Sequence, residues 1–353
     1  MTESTKKISL YTVFTLAVLA VILGYGYKNS LQSRTATSSG KLIVAITQIA
    51  PHPSLDAIHQ GIVDELESQK IQNLEIVFQN AQGNVSTAAQ IAQKFVSLDP
   101  AVIVPITTPS SQSAYAVAKP RKIPVVFTAV SDPVAAKLIP TLDKVGEGIT
   151  GVYDQAPFEE HAKLMYSLLK DKKELLTVGI LYNPGEANSV SAIDSISKAL
   201  APYNIKVVKA AASTTTSVTA ATQSLIGKVD AIYIPNDNTV ISALDSVIKV
   251  THAEKIPVFS SDPESVERGC LATIAPDQYQ IGRQAGRLVG SLLKGTEINK
   301  VNPEKASALV FILNQKTARH LGVTFPHTLL EKADKIIELD GTITTNSQKG
   351  RTK

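Results

Sequence analysis

KIPVVFTAVSDP at residues 122–133 is written almost a second time as KIPVFSSDP at residues 255–263. Each copy opens Lys-Ile-Pro-Val, passes a Phe and a hydroxyl residue, and closes on Ser-Asp-Pro. The two aspartates, Asp132 and Asp262, stand 130 positions apart. Outward from each copy, apolar runs of four to seven residues alternate with longer amphipathic stretches. That alternation is the pattern of a parallel sheet flanked by helices. The first series predicts strands at 42–46, 74–78, 101–106 and 124–130, with helices at 54–70, 85–98 and 110–118 between them. It closes on GITGVYD at 148–154. The second predicts strands at 176–182, 205–210, 231–235 and 257–261, with helices at 189–200, 217–226 and 239–250. The two series correspond element by element. Pro105 and Pro235 each end a strand and lead through a polar turn into a helix, and each Ser-Asp-Pro follows the next strand.

The expected fold is therefore α/β, with two doubly wound parallel-sheet lobes. After the second series come a helix at 280–293, a strand at 308–313, a helical piece at 326–333 and a strand at 334–339. The chain is expected to cross back and return, giving a first lobe of 41–154 plus about 278–312 and a second of 155–277 plus about 313–340. Three crossings would form the hinge. Residues 341–353 are expected to be a disordered tail.

Residues Ile8–Tyr27 form twenty uncharged positions, long enough at 1.5 Å per residue to cross a ~30 Å hydrocarbon core. Lys6 and Lys7 precede the run and Tyr25 and Tyr27 close it, which fits a cytoplasmic tail at 1–7 and an anchor at 8–27. A cleaved signal segment is the alternative. The Ser/Thr-rich stretch 28–40 reads as a linker, so the bulk of the chain is expected outside the cytoplasm. The net charge of +4 is concentrated at the ends: each terminal tail carries +3, which leaves the body at −2. No basic stripe marks a nucleic-acid face. A single cysteine, Cys270, rules out a disulfide framework and a multi-cysteine metal site. There is no G-x-S-x-G elbow, no HExxH and no glycine-rich phosphate loop. The expectation is a binding protein without catalysis, metal or cofactor.

Ligands of open parallel α/β sheets sit beyond the carboxyl ends of the strands, where helix N-termini converge. Candidate binding residues are accordingly sought there. Thr108, Ser110 and Ser111 in TTPSSQ could hold a carboxylate, or simply cap their own helix. Asp237 and Asn238 in NDN could take an ammonium group, or act as caps. Opposed across a cleft, the two sets would suit a zwitterion. Asp132 and Asp262 are candidates for ligand contact or for the turns themselves. Asn188 and Ser189 in YNPGEANS, and Gln48 on the first strand-end loop, are further polar candidates. Tyr153 could wall an aromatic side chain or pack in the core. His52 could cap a helix or touch ligand.

The series TQIAPHPSLDAI, AQGNVSTAAQIAQKF, ITTPSSQSA, KIPVVFTAVSDPV, ITGVYD, LYNPGEANSV, VDAIYIPNDNTV and KIPVFSSDPESVERG resembles the tryptophan/tyrosine-type substrate-binding proteins of ABC importers. The likeness runs from about Lys41 to Asp334. One departure is Pro51, before His52, where an acidic residue is expected in that family. The resemblance implies a type I periplasmic-binding-protein fold, closure around an amino acid, and delivery to a permease driven by a separate ATPase subunit. It further implies a monomer on the outer side of the membrane. Alternatives left open are a nucleoside or sugar ligand, and a sensory role with a partner receptor.

Overall fold

Aliphatic residues fill the first series of strands, and β3 and β4 are buried along their whole length, as a sheet covered on both faces requires. In the computed structural model, which describes residues 41–144 and 146–346, this half comprises β1 (Leu42–Gln48), α1 (Pro53–Ser68), β2 (Leu74–Asn80), α2 (Val85–Ser97), β3 (Val102–Ile106), α3 (Thr108–Ala118), β4 (Val125–Thr128) and β5 (Ile149–Tyr153). The apolar run 8–27 and the linker 28–40 lie outside the described residues. Among the described residues no helix is long and apolar enough to cross a membrane.

The second half runs α4 (Phe158–Leu169), β6 (Thr177–Tyr182), α5 (Ala187–Leu200), β7 (Lys206–Ala211), α6 (Val218–Leu225), β8 (Ala231–Ile234), α7 (Asn238–Ser242), α8 (Leu244–Ala253), β9 (Val258–Ser260) and β10 (Ala272–Pro276). Then follow α9 (Gln278–Leu293), β11 (Glu304–Lys305), β12 (Leu309–Asn314), α10 (Gln315–Leu321), α11 (His327–Leu330), β13 (Lys335–Ile337) and β14 (Ile343–Thr345).

The first sheet has the order β11-β5-β4-β3-β1-β2 and the second β14-β13-β12-β10-β9-β8-β6-β7. Stripped of the late additions, each half is wound 2-1-3-4-5, so the repeated sequence folds into a repeated topology. Equivalent parallel pairs hold both sheets: Val44 faces Val102 and Ile103 faces Val125, as Val178 faces Ala231 and Ile232 faces Val258. Separate apolar clusters fill the two halves.

The chain passes between the sheets three times, after β5, after β10 and after β11. The middle crossing brings α9 back onto the first half, against α1. Small residues fix that contact: a Cβ on Gly282 would overlap the Ile58 carbonyl oxygen, and one on Gly61 the Tyr279 carbonyl oxygen. Arg283 adds a 2.8 Å ion pair to Glu65.

Several elements differ from the sequence reading. β12 pairs antiparallel with β10 in the second sheet, so the last crossing falls before Leu309 rather than near 312. α4 was not anticipated; its amphipathic face buries Phe158, Ala162, Met165 and Leu169. His161 bonds the Tyr233 hydroxyl at 2.9 Å and the Ile274 carbonyl at 2.6 Å, tying α4 to the sheet. The helix expected at 239–250 is broken at Ala243, where ψ turns to 18°. Within the tail expected to be disordered at 341–353, Ile343–Thr345 form β14, antiparallel to β13, and 347–353 lie outside the described residues. Its tight turn is closed by Asp340, which accepts from the Thr342 N–H and hydroxyl, and by Gly341 at φ 91°.

Candidate functional site

The carboxyl ends of β1, β3, β4 and β5 meet those of β6, β8, β9 and β10 around a small cavity of about 30 Å³. Both halves line it, and eleven of its fourteen lining residues carry polar side chains. Two of its positions carry backbone strain: Thr107 after β3 has φ 78° and Ala129 after β4 has φ 52°. Such left-handed geometry costs a residue with a Cβ about 1–3 kcal/mol and gathers at functional sites. It aims the start of α3 at the cavity.

Unpartnered polar atoms are concentrated in this wall. Both ring nitrogens of His52, Oγ1 of Thr107, Oδ1 of Asp154 and Oδ1 of Asn188 are buried with no hydrogen-bond partner. Ser110 Oγ, one turn into α3, is likewise unpartnered. Buried polar groups normally find partners within the protein, so such a cluster marks where a ligand supplies them. A larger recess of about 410 Å³ near Val85, Ser213 and Thr239 has none of these atoms in its wall.

Asp154 is the acidic centre. It follows β5 directly and is 3 % exposed. Asn236 Nδ2 donates to its Oδ2 at 3.0 Å. Burial pushes its carboxyl up to about 7, the nearby Ser131 side chain pulls against this, and the Asp262 carboxylate adds to the rise. A cation placed at Oδ1 would restore the ionised form. On the first half, Thr107 and Thr108 offer hydroxyls at the N-terminus of α3, where the helix dipole and free N–H groups favour an anion. The wall thus has an acidic pole and a hydroxyl-rich pole. Leu55 and Ile241 give it apolar patches.

The repeated aspartates prove to be linked across the two halves. Ser54 Oγ, near the start of α1, donates to Asp262 Oδ1. Ser191 Oγ, in α5, donates to Asp132 Oδ2 at 2.5 Å. Each aspartate also caps its own turn, accepting from Ala135 N–H at 2.9 Å and from Ser265 N–H at 2.9 Å respectively. The helix after the first strand of one half therefore touches the Ser-Asp-Pro turn of the other, twice over.

Of the residues singled out from sequence, His52, Thr108, Asn188, Asn238 and Asp262 line the cavity. Ser110 lies close behind, on the first turn of α3. The others are placed elsewhere. Ser111 Oγ donates back to the Thr107 carbonyl at 2.7 Å. Gln48 donates to Ala50 O and Asp56 Oδ1. Tyr153 packs partly buried against the core of the first half. Asp132 holds Ser191. Asp237 is fully buried, outside the cavity wall, and accepts from Val240 N–H, Asn183 N–H and the Ser189 hydroxyl. Burial, with the Glu186 carboxylate beside it, pushes the carboxyl of Asp237 up to about 7. Asp237 and Ser189 thus brace the second half, and the acidic pole is Asp154 instead.

Asp154, Thr107, Ser131, Asn236 and Gln278 were missed. A signal for the first did exist: the repeat puts a carboxylate straight after its last strand in both halves, as Asp154 and Asp277. Among the described residues no group of His, Cys, Asp and Glu is placed to hold a metal ion.

Comparison with known proteins places this site in context. The family model for ABC transporter substrate binding proteins matches residues 43–337. The chain is similar to a tyrosine-binding protein of Clostridioides difficile (strain R20291), 34% identical over 91% of this chain and 93% of that one. It is similar in structure to an ABC domain in complex with L-Trp from Streptococcus pneumonia, with TM-score 0.80 and 30% identity over 84% of this chain and 99% of that one. A ligand-free, open substrate-binding protein from Clostridium difficile matches with TM-score 0.62 and 33% identity, over 81% and 96% of the two chains.

Proposed function

The chain belongs to the ABC transporter substrate-binding protein family, and from that premise we propose that it is the solute-binding subunit of an importer and that its ligand is an aromatic amino acid held between the two halves. The observation that carries the ligand class is Asp154 Oδ1, a buried carboxylate oxygen with no partner in the wall of a polar cavity. The α-ammonium group sits on Asp154 beside Asn236. The α-carboxylate is taken by the hydroxyls of Thr107 and Thr108 and the N-terminus of α3. The side chain then lies against Leu55 and Ile241. What the C. difficile and S. pneumonia relatives bind supports this reading.

The cavity wall comes from both halves, so only a closed arrangement makes all the contacts, and ligand shifts the population toward it. The hydrogen bonds from Ser54 to Asp262, Ser191 to Asp132 and Asn236 to Asp154 belong to that closed form. The higher TM-score to the Trp complex than to the open protein, at similar identity and coverage, supports its being the closed form. The permease recognises the closed shape and takes the ligand from it, with the three chain crossings acting as the hinge. Residues 8–27 anchor the protein with this domain outside the cytoplasm, on the strength of their twenty uncharged positions.

Thermal unfolding against the twenty amino acids, with nucleosides and sugars alongside, tests the ligand class. A ligand at 100 times its Kd adds about 2.7 kcal/mol. A shift with tyrosine or tryptophan is expected. A response confined to nucleosides or sugars overturns the amino-acid reading.

A further inference from the structure

His52 occupies the N-cap position of α1, yet its side chain caps nothing. It turns into the cavity, 6 % exposed, with neither ring nitrogen hydrogen-bonded. An unpartnered buried imidazole is costly, because the folded chain gives back nothing for the water it lost. The charged groups facing it are Asp56 on its own helix, Asp262 on the loop after β9, and Arg268; the Asn238 side chain faces it from α7. None of them closes a hydrogen bond of normal geometry to the ring: Asn238 Nδ2 donates to Glu186 Oε2 at 2.6 Å and its side chain gives the imidazole only a weak polar contact. Asp56 Oδ1 accepts from Gln48, Asp262 accepts from Ser54 and Ser265, and Arg268 pairs with Asp245 at 2.9 Å. Of these groups only Asp262 also faces Asp154, so the imidazole and the acidic pole share one carboxylate neighbour and one cavity wall. Leu55, three residues along α1, gives the same wall an apolar surface.

We propose that His52 is the specificity-determining residue of the cavity, accepting a hydrogen bond from a proton donor on the ligand's aromatic ring, so that a phenol is selected over an unsubstituted ring. The proposal rests on the amino-acid reading above. Asp154 holds the main-chain end of the ligand, and the ring runs along Leu55 and Ile241 to the imidazole. Burial lowers the proton affinity of His52 against the pull of Asp262 and Asp56. A neutral ring has one bare nitrogen, which a phenol O–H can reach, and one N–H. Phenylalanine leaves that nitrogen buried without a partner. A site built around such a hydrogen bond discriminates far more sharply than an apolar pocket can by size.

Isothermal titration of the full chain with L-tyrosine and L-phenylalanine tests the assignment, in wild type, His52→Leu and His52→Gln. Circular dichroism and melting show that each variant is folded. Wild type is expected to hold tyrosine at least about tenfold more tightly than phenylalanine. His52→Leu should lose that preference by weakening tyrosine while leaving phenylalanine within about threefold. His52→Gln, which retains an acceptor, should recover part of it. An unchanged tyrosine-to-phenylalanine ratio in His52→Leu overturns the proposal alone. Equal losses for both ligands also overturn it, by placing the imidazole at the main-chain end. If wild type binds tryptophan but neither of these two, the proposal falls alone; if it binds none of the three, the functional reading fails and the proposal with it.

Discussion

Replacing Asp154 by Asn should make the protein more stable at neutral pH and a far weaker binder of amino acids. Burial lifts this carboxyl from 3.8 to about 7, and each pKa unit is worth about 1.36 kcal/mol. Holding the side chain ionised in the folded protein therefore costs up to about 4 kcal/mol at pH 8. Water entering the cavity and an effective dielectric near 20 reduce that figure, so about 1–3 kcal/mol is expected. The folded pKa is raised above the unfolded one, so the stability that the neutral acid contributes is complete below about pH 4. It is lost as pH rises through about 7. Asn carries no such penalty and keeps an oxygen for Asn236. Urea melts without added ligand at pH 8 should show Asp154→Asn more stable than wild type, and melts at pH 4 should show the two alike. Binding should move the other way. Removing one partner of a buried charge pair costs about 2–5 kcal/mol, so affinity for tyrosine should fall from about thirtyfold to several thousandfold. A variant that is less stable than wild type at pH 8, or that binds tyrosine within about twofold, would refute the reasoning.

Because ligand requires ionised Asp154, tyrosine affinity should rise about tenfold per pH unit up to about 7 and level off above it, while Asp154→Asn stays flat; titration calorimetry from pH 5 to 8 checks this, and a flat wild-type profile counts against it. Ser191→Ala removes the 2.5 Å bond to Asp132 without touching the cavity wall, and should weaken every ligand about three- to tenfold, mainly through a faster off-rate in stopped-flow. An unchanged off-rate would mean that this contact does not help hold the halves together. Gly282→Val forces a side chain into the Ile58 carbonyl where α9 meets α1, and should cost at least about 2 kcal/mol in a urea melt. A neutral substitution would show that the two helices can part without penalty.

Much of the architecture was legible because it is written twice. Pro105 and Pro235, Asp132 and Asp262, and the apolar runs between them place equivalent strands in equivalent order, and the two sheets repeat the 2-1-3-4-5 winding. The elements that escaped sit where the repeat stops or where local pattern is thin. α4 belongs to a crossing rather than to the paired series, and β10 is only five residues long. β14 is three exposed residues held by a turn and one neighbouring strand, with no apolar run to announce it.

The site was harder to read, for a physical reason. Strand-end loops are full of hydroxyls, amides and carboxylates, and sequence does not tell which of them are already partnered. Asp237 and Ser111 look as promising as Thr108, yet the first is committed to Asn183, Ser189 and Val240 and the second to the Thr107 carbonyl. Asp154 looks like a residue at the end of a strand until its surroundings show one oxygen satisfied by Asn236 and the other bare. Partnering is a property of the folded chain. That accounting separated the candidates into those that face the cavity and those that brace it.

The most direct test of the account is a crystal structure of the protein grown with L-tyrosine. The expected result is density between the two halves, with the ammonium nitrogen about 3 Å from Asp154 Oδ1 and the carboxylate on Thr107 and Thr108. Tyrosine bound with its ammonium group turned away from Asp154, or bound outside this cavity, would contradict it.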